Sequence, residues 1–568
     1  MRHARLAPVL LMIAALALGV AYWATPASAE TITVTRDDDP TPDGCANNGC
    51  TFREAADLGN TTPGNQIVDV PDGMTVVLDS QINLSGDLTI SGHGVDVSVI
   101  RSGTGAQLFD IAFGADVTFS NVWLYGANLT GAANCGGAIY NEGTLHVDHS
   151  RIAKNFVNGN GAGLCNNGTA FLDDVYMSAN TANGGPGGAI FNGGTITITN
   201  STITQNNVSG SDGGGIANGD AGTMTIQYSE ISHNTVASNA CDDCASGGGI
   251  SSNGALTIEW STISNNIADN GAGLINRGDA QIHRSTFTGN QAGAIKNSHG
   301  MMLVIRSTIS ANLASPYPDS GVGGIENYAT LSLVNDTIAD NGHMQFQYGG
   351  LFTNTTASTD YKATIFANNG PKNCSTSGSQ SSGGYNVFAG VACTAVGTDQ
   401  TVTDAMILAL ANNGGPTLTN MPAPGSPAVD HGSPSCPSPD QRGALLIPPC
   451  DAGAVEYGGI PITPTPSPSP TTPPIAYPMG DPTCSDSVAP DDLVPELKLA
   501  AGLAQPDTCG RETIQCLIYA GACYPVWVNT NCDEKIDARD VLPIAAHLAG
   551  VPMTIGQCTP VGQYPAAN

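Results

Sequence analysis

The sequence predicts an all-β fold, a right-handed parallel β-helix solenoid, followed by a proline-rich linker and a small α-helical module. Three observations carry this. A six-residue element, Ser150-Arg151-Ile152-Ala153-Lys154-Asn155, returns at Ser201–Asn206, Ser229–Asn234, Ser261–Asn266, Ser285–Asn290 and Ser307–Asn312. Looser copies end at Asn180, Asn341 and Asn368, so the series advances in steps of 22 to 32 residues, a period that marks a solenoid. Charged residues make up only 12 % of the 568, against 41 % hydrophobic, so Asn, Ser, Thr and Gly must supply the polar surface, which favours β coils over helical bundles. Glycine (70) and proline (36) provide many turns without reaching the ~25–30 % typical of low-complexity disorder.

From the N-terminus, Arg2 and Arg5 precede the apolar stretch Leu6–Ala24 and the small-residue site Ala27-Ser28-Ala29. This is the layout of a secretory signal peptide over residues 1–29, with an uncleaved membrane anchor as the competing reading. No later segment is apolar for long enough to span a bilayer, so the mature chain is expected without a membrane span, secreted or surface-associated. An even count of 16 cysteines suits an exported, disulfide-bonded protein. The formal charge of -30 repels phosphate backbones and excludes nucleic acid as a partner.

Residues 30–79 are expected to cap the solenoid, because an open β-helix end exposes unpaired strand edges. Thr51 to Leu58 is read as a short capping helix. Residues 80–400 form the coils. Each coil carries a second element on its other side, such as Gly137-Ala138-Ile139-Tyr140-Asn141 or Ala189-Ile190-Phe191-Asn192, which returns at Asn166, Asn218, Asn276, Asn297 and Asn327. Between the two elements lie alternating strands such as Thr195–Thr199, whose period of two turns Ile196 and Ile198 to one face. One such unit cannot bury its apolar face alone, and stacking gives every strand a parallel partner about 4.8 Å away. The repeat Ile, with Met177 and Phe287 as substitutes, fills the interior. Asn suits the corners because it tolerates the left-handed conformation and because its amide can both donate to and accept from the Asn one coil away.

This pattern resembles the parallel β-helix repeat proteins of the pectin-lyase-like superfamily over roughly residues 80–400. The superfamily includes lyases, hydrolases, esterases and non-catalytic surface proteins, so the resemblance implies fold more than activity. Cys45 to Ala55, with Cys50-Thr51-Phe52-Arg53-Glu54-Ala55, resembles the Cys-Ser-Leu-Arg-Glu-Ala (CSLREA) signature of exported bacterial β-helix proteins. In the C-terminal cap, residues 401–460, Asn413–Leu418, Gly425–Asp430, Asp440–Gly443 and Cys450–Tyr457 resemble the end region of choice-of-anchor Q proteins. Asp440 and Arg442 are read there as a buried cap pair, and Cys374/Cys393 and Cys436/Cys450 as disulfides. Cys241/Cys244, in a loop leaving one corner, is read as a disulfide in preference to a redox or zinc half-site.

A polyproline-type spacer follows over 461–478, then a duplicated module over 479–558 and a tail over 559–568. Asp481–Pro495 matches Asn529–Pro543. In the second copy, Asn529, Asn531, Asp533, Asp537 and Asp540 stand at loop positions 1, 3, 5, 9 and 12, and Lys535 offers a backbone carbonyl at position 7, the oxygen spacing of an EF-hand-type calcium loop. The first copy keeps Asp481 and Asp492. The module is similar to a type I dockerin, and that resemblance implies calcium binding and docking to a cohesin-like surface or scaffold protein. A disulfide-stapled module with no partner is the alternative.

Two outward sets are candidates for function. Asp148 stacks with Asp173 one coil later, beside His149 and Asp174. These carboxylates could hold calcium in a lyase or act as acid and base in a glycosidase, with Arg151, His146 or Lys154 assisting, or they are simply a solvated face. A second column, Tyr228, Trp260, Arg284 and Arg306, could stack on and hydrogen-bond to sugar rings. The leading reading is a secreted adhesion or binding surface for a polysaccharide, docked through calcium. The alternative is an extracellular polysaccharide-degrading lyase or glycoside hydrolase tethered in the same way.

Overall fold

Alternation in segments such as Thr195–Thr199 buries Ile196 and Ile198 and turns Thr195, Thr197 and Thr199 outward. Repetition of that pattern builds a parallel β-solenoid in the computed structural model. The structure describes residues 29–461, except 41, 43, 46–48, 95–97, 238–245, 315–321, 343–348, 371, 392 and 435–437, and also the antiparallel pair Cys516–Tyr519 and Ala522–Pro525. Residues 1–28 of the expected signal peptide, 462–478 of the linker, the calcium-ligand set, Cys241/Cys244 and Cys436 fall outside the described residues.

Three long sheets run along the axis. Sheet 1 has 14 strands, of which Thr144–Asp148 is typical; sheet 2 has 14, typified by Arg151–Ala153; sheet 3 has 12, typified by Ile139–Asn141. A fourth, five-stranded sheet runs from Asn128–Cys135 to Thr235–Ala237. Register keeps like residues in columns: Ile152 pairs with Met177, Met177 with Ile203, Ile203 with Ile231, Ile231 with Ile263 and Ile263 with Phe287. All are fully buried in one core that runs from Ile32 to Phe388. Strands Thr31–Thr33, Gln66–Asp69 and Met74–Leu78 already pair into sheets 1 and 2, so coil stacking begins before residue 80.

The expected amide ladder is present. The side-chain NH2 of each Asn donates to the next Asn side-chain oxygen, from Asn155 through 180, 206, 234, 266, 290, 312 and 341 to Asn369, at 2.9–3.1 Å. Two expectations are corrected. The last member is Asn369, not Asn368. The left-handed residue is the one before each ladder Asn, as at Lys154, Gln205, His233, Asn265 and Asp340, with φ between 54° and 56°. The ladder Asn is therefore selected by its buried amide alone. A second ladder links Asn141, Asn166, Asn192 and Asn218 at 2.7–2.8 Å.

A serine column went unforeseen. The backbone N–H of Ser201 donates to Ser229 Oγ, Ser229 to Ser261, Ser261 to Ser285 and Ser285 to Ser307. Asp336 takes the next place and accepts from Ser307 N at 2.8 Å.

The N-terminal segment holds the helix α1 (Phe52–Thr61), which starts one residue later and ends three residues later than expected, with Thr51 and Glu54 forming a reciprocal capping box. Arg53 binds Asp39 through two hydrogen bonds of 2.7 and 2.6 Å, and Cys45 is bridged to Cys50. At the other end, the Arg442–Asp440 pair is buried at 2.9 Å as expected. Cys374–Cys393 is a disulfide, Cys450 is disulfide-bonded, and Cys135–Cys165 is a further bridge that the reading missed. Among the described residues no helix is long and apolar enough to cross a membrane.

Candidate functional site

Sheets 1 and 2 meet at a sharp corner, and one residue per coil turns it in the left-handed conformation. The column reads His149, Asp174, Asn200, Tyr228, Trp260, Arg284 and Arg306, with φ between 44° and 54°. Asn takes this conformation readily, whereas other side chains pay about 1–2 kcal/mol. Bulky residues here are unfavourable for folding, which points to what their side chains do outside the corner.

Tyr228 and Trp260 stack with ring centroids 5.1 Å apart and 20° between planes. The Arg284 guanidinium covers the other face of Trp260, with Cζ 4.9 Å from the ring, and is fixed by Glu259 Oε1 at 3.0 Å. Gln227 Nε2 donates to Glu259 Oε2 at 3.1 Å. Trp260 is thus sandwiched, and the open ring face belongs to Tyr228, 38 % exposed, on the Asn200 side. Trp260 Nε1 and Arg284 Nε are buried without a protein acceptor. Burial, foremost, and the nearby Glu259 charge raise the Tyr228 pKa; burial also lowers that of His283.

This stack forms one side of a groove of about 450 Å³. Its floor carries Thr202, Glu230 and Thr262 from sheet 2, and its far wall is Asn412 with Gly415–Leu418 from the C-terminal cap. Sequence reasoning missed Glu230 and this wall. Glu230 was legible, since it stands one repeat beyond Thr202; the wall was not, because nothing in the repeat says where residues 412–418 fold back. Gln441 pins that segment, donating to Thr286 Oγ1 and Thr417 Oγ1, both at 2.9 Å. Gly415 has φ +86°, and a Cβ there would lie 2.5 Å from Arg442 Cα, so only glycine lets the wall approach.

Arg306, expected at the surface, is only 1 % exposed and lies beneath the cap, where burial lowers its pKa to about 10 against the pull of Asp440, Glu456 and Asp336. It is not a surface for sugars in this fold. Asp336 beside it is fully buried, and burial raises its pKa to about 8.

The acidic set is brought together as the spacing required, with Asp148 paired to Asp173 in sheet 1. One oxygen each of Asp148 and Asp173 is already engaged, whereas Asp174 Oδ1 is buried without a hydrogen-bond partner. Asp148 Oδ2 accepts from Ser120 Oγ at 2.7 Å and lies 3.2 Å from His149 Nδ1, while Asp173 Oδ1 accepts from Thr199 Oγ1 at 2.7 Å and Asn200 Nδ2 at 2.8 Å. The Asp174 side chain is 3 % exposed, 3.8 Å from His149 Nε2, and its pKa is raised by burial and by Asp173, with His149 opposing. Among the described residues, the His, Cys, Asp and Glu side chains whose ligand atoms converge within 4.8 Å are Cys45, Cys50 and Glu54. Those cysteines are bridged to each other, and the Asp148, Asp173 and Asp174 oxygens form no such cage. The possible assistants are also accounted for: Arg151 lies between the Trp123 and Tyr176 rings, 4.6 and 5.3 Å from their centroids, and His146 stacks on Phe171 at 4.9 Å. Lys154 is one of the left-handed corner residues.

No family model matches the chain, and no curated protein matches it. Among solved structures, it is similar to pectate lyase Pel9A at 13 % identity, with 76 % of this chain and 97 % of that one covered and a TM-score of 0.34. It is also similar to the catalytic domain of a GH87 alpha-1,3-glucanase in complex with tetrasaccharides, at 14 % identity, 64 % and 69 % coverage and a TM-score of 0.28. Likenesses this distant transfer no site and no activity.

Proposed function

We propose that the protein is an extracellular β-helix that binds a glycan in the groove beside Tyr228 and Trp260 without cleaving it, and that its C-terminal module anchors it through calcium to a cohesin-like partner. One observation carries the binding reading: an open aromatic face, backed by a stacked Trp and an Arg–Glu pair, lines a polar-floored groove. Sugars present apolar C–H faces and hydroxyl rims, and an aromatic face with adjacent donors and acceptors matches both. The test is retention of the chain from residue 30 onward on immobilised polysaccharides. Tyr228→Ala is expected to abolish retention, and retention unchanged by that substitution would overturn the assignment of the site.

The anchoring reading rests on the oxygen spacing of Asn529, Asn531, Asp533, Lys535, Asp537 and Asp540, with Asp481 and Asp492 in the first copy. Calorimetric titration of the full chain is expected to show calcium uptake that Asp540→Ala removes. Uptake unaffected by that change would contradict it.

The catalytic alternative keeps one favourable observation, the exposed Glu230 on the groove floor. Cleavage by an acid–base pair needs a second carboxyl placed across the sugar from the first, and Glu259, the neighbouring acid, is held by Arg284 and Gln227. Release of reducing ends or unsaturated products, lost in Glu230→Gln, would establish the enzyme.

A further inference from the structure

Along the solenoid axis the groove is closed on its C-terminal side. Along the sheet 2 column that forms its floor, Thr202 is half-buried, Glu230 exposed and Thr262 half-buried, but the next three members, Thr286, Thr308 and Thr337, are buried under the C-terminal cap. Each of these is bonded to it: Thr286 Oγ1 donates to Leu418 O at 2.6 Å, Thr308 Oγ1 to Gln441 Oε1 at 2.6 Å, and Ala454 N to Thr337 Oγ1 at 3.1 Å. A chain laid along the axis over Thr202 and Glu230 therefore meets a wall at Thr286. Away from the cap the column continues from Thr202 to the half-buried Tyr176 with no described segment folded over it, and the corner continues through Asn200 to Asp174 and His149.

Charge along this path is mostly acidic, and Arg151, the cation two coils before Thr202, is buried between the Trp123 and Tyr176 rings. Asp148, Asp173 and Glu230 lie on or beside it, and Asn200, whose amide binds Asp173, is shared with the groove. The one cation in the stack, Arg284, is paired with Glu259 at 3.0 Å. The chain as a whole carries -30. A ligand bearing a carboxylate on every sugar would be repelled here, while an uncharged one would not.

We infer that the groove receives the terminal sugars of an uncharged glycan chain and excludes both internal chain stretches and polyuronates. This rests on the glycan-binding reading and adds direction and charge to it. A dead-end site holds one protein per chain end whatever the chain length; a through-groove holds more as the chain grows. Titration calorimetry of the full chain against short and long glucan and mannan chains of defined length, with oligogalacturonates of matched length, separates these. The expected result is one protein per neutral chain at every length, and binding of the uronate series more than tenfold weaker at low salt, with the gap narrowing as salt is raised. A protein count that rises with length, or uronates bound as tightly as neutral chains, overturns the inference while leaving glycan binding intact. Absence of binding to every chain removes both. Trp260→Asn locates the signal, and binding that survives it places the site elsewhere and overturns the inference.

Discussion

At the residue scale, the corner between sheets 1 and 2 sets folding against function. Asn200 occupies it without strain, and Trp260, with φ 44°, does not. Trp260→Asn exchanges about 1–2 kcal/mol of left-handed strain for the loss of about 0.5–1.5 kcal/mol of ring stacking. Its melting temperature is therefore expected to stay close to that of the parent, while glycan affinity falls at least tenfold; a large fall in melting temperature would show that the ring serves stability. The ladder predicts the opposite pattern. Asn234 accepts from Asn206 N and Nδ2 and donates to Ile203 O and Asn266 Oδ1. Asn234→Ala leaves those buried groups short of partners, and urea unfolding is expected to show a loss of about 2–4 kcal/mol. Asp336 supplies a pH dependence. Its carboxyl titrates near 8 in the fold and about 3.9 when unfolded, so its contribution is full below about pH 4 and is lost as pH rises through about 8. Melting temperature is expected to fall over that window, and Asp336→Asn to flatten the slope. The repeat made the ladder Asn and the corner aromatics legible as columns. The burial of Arg306 was not legible, since its place in the column equals that of Arg284 and only the cap distinguishes them.

At the element scale, each strand is too short to stand alone and is fixed by its neighbours, which is why a fixed period was a stronger guide than any strand propensity. Helix α1 was legible for the opposite reason, because the reciprocal cap of Thr51 and Glu54 is a local device. Thr51 is buried and its hydroxyl accepts from Glu54 N at 3.2 Å. Thr51→Ala is expected to cost about 1 kcal/mol, read as a lower unfolding midpoint, whereas Thr51→Ser should recover most of it. No loss on Thr51→Ala would mean that the helix adds nothing to the N-terminal end of the solenoid. The cap segment 412–418 lacked any such local signal. Its position depends on Gln441, Thr417 and Thr286, three residues far apart in sequence, and bonds of that range leave no period to read.

At the scale of the described solenoid, a continuous apolar core and buried Asn and Ser ladders run through the stacked coils, and the recess beside Tyr228 and Trp260 lies part-way along them, where residues 412–418 fold back onto sheet 2. Under the proposed function this site holds a glycan and leaves it whole. The most direct measurement is to incubate the full chain with a panel of neutral and uronic-acid polysaccharides, with calcium present, recording both retention on immobilised polymer and the release of reducing or unsaturated ends. Retention on a neutral polymer, lost in Trp260→Asn, with no product from any member of the panel, is the predicted result. Product that disappears in Glu230→Gln, or in Asp148→Ala or Asp173→Ala, would contradict the account and make the protein an enzyme.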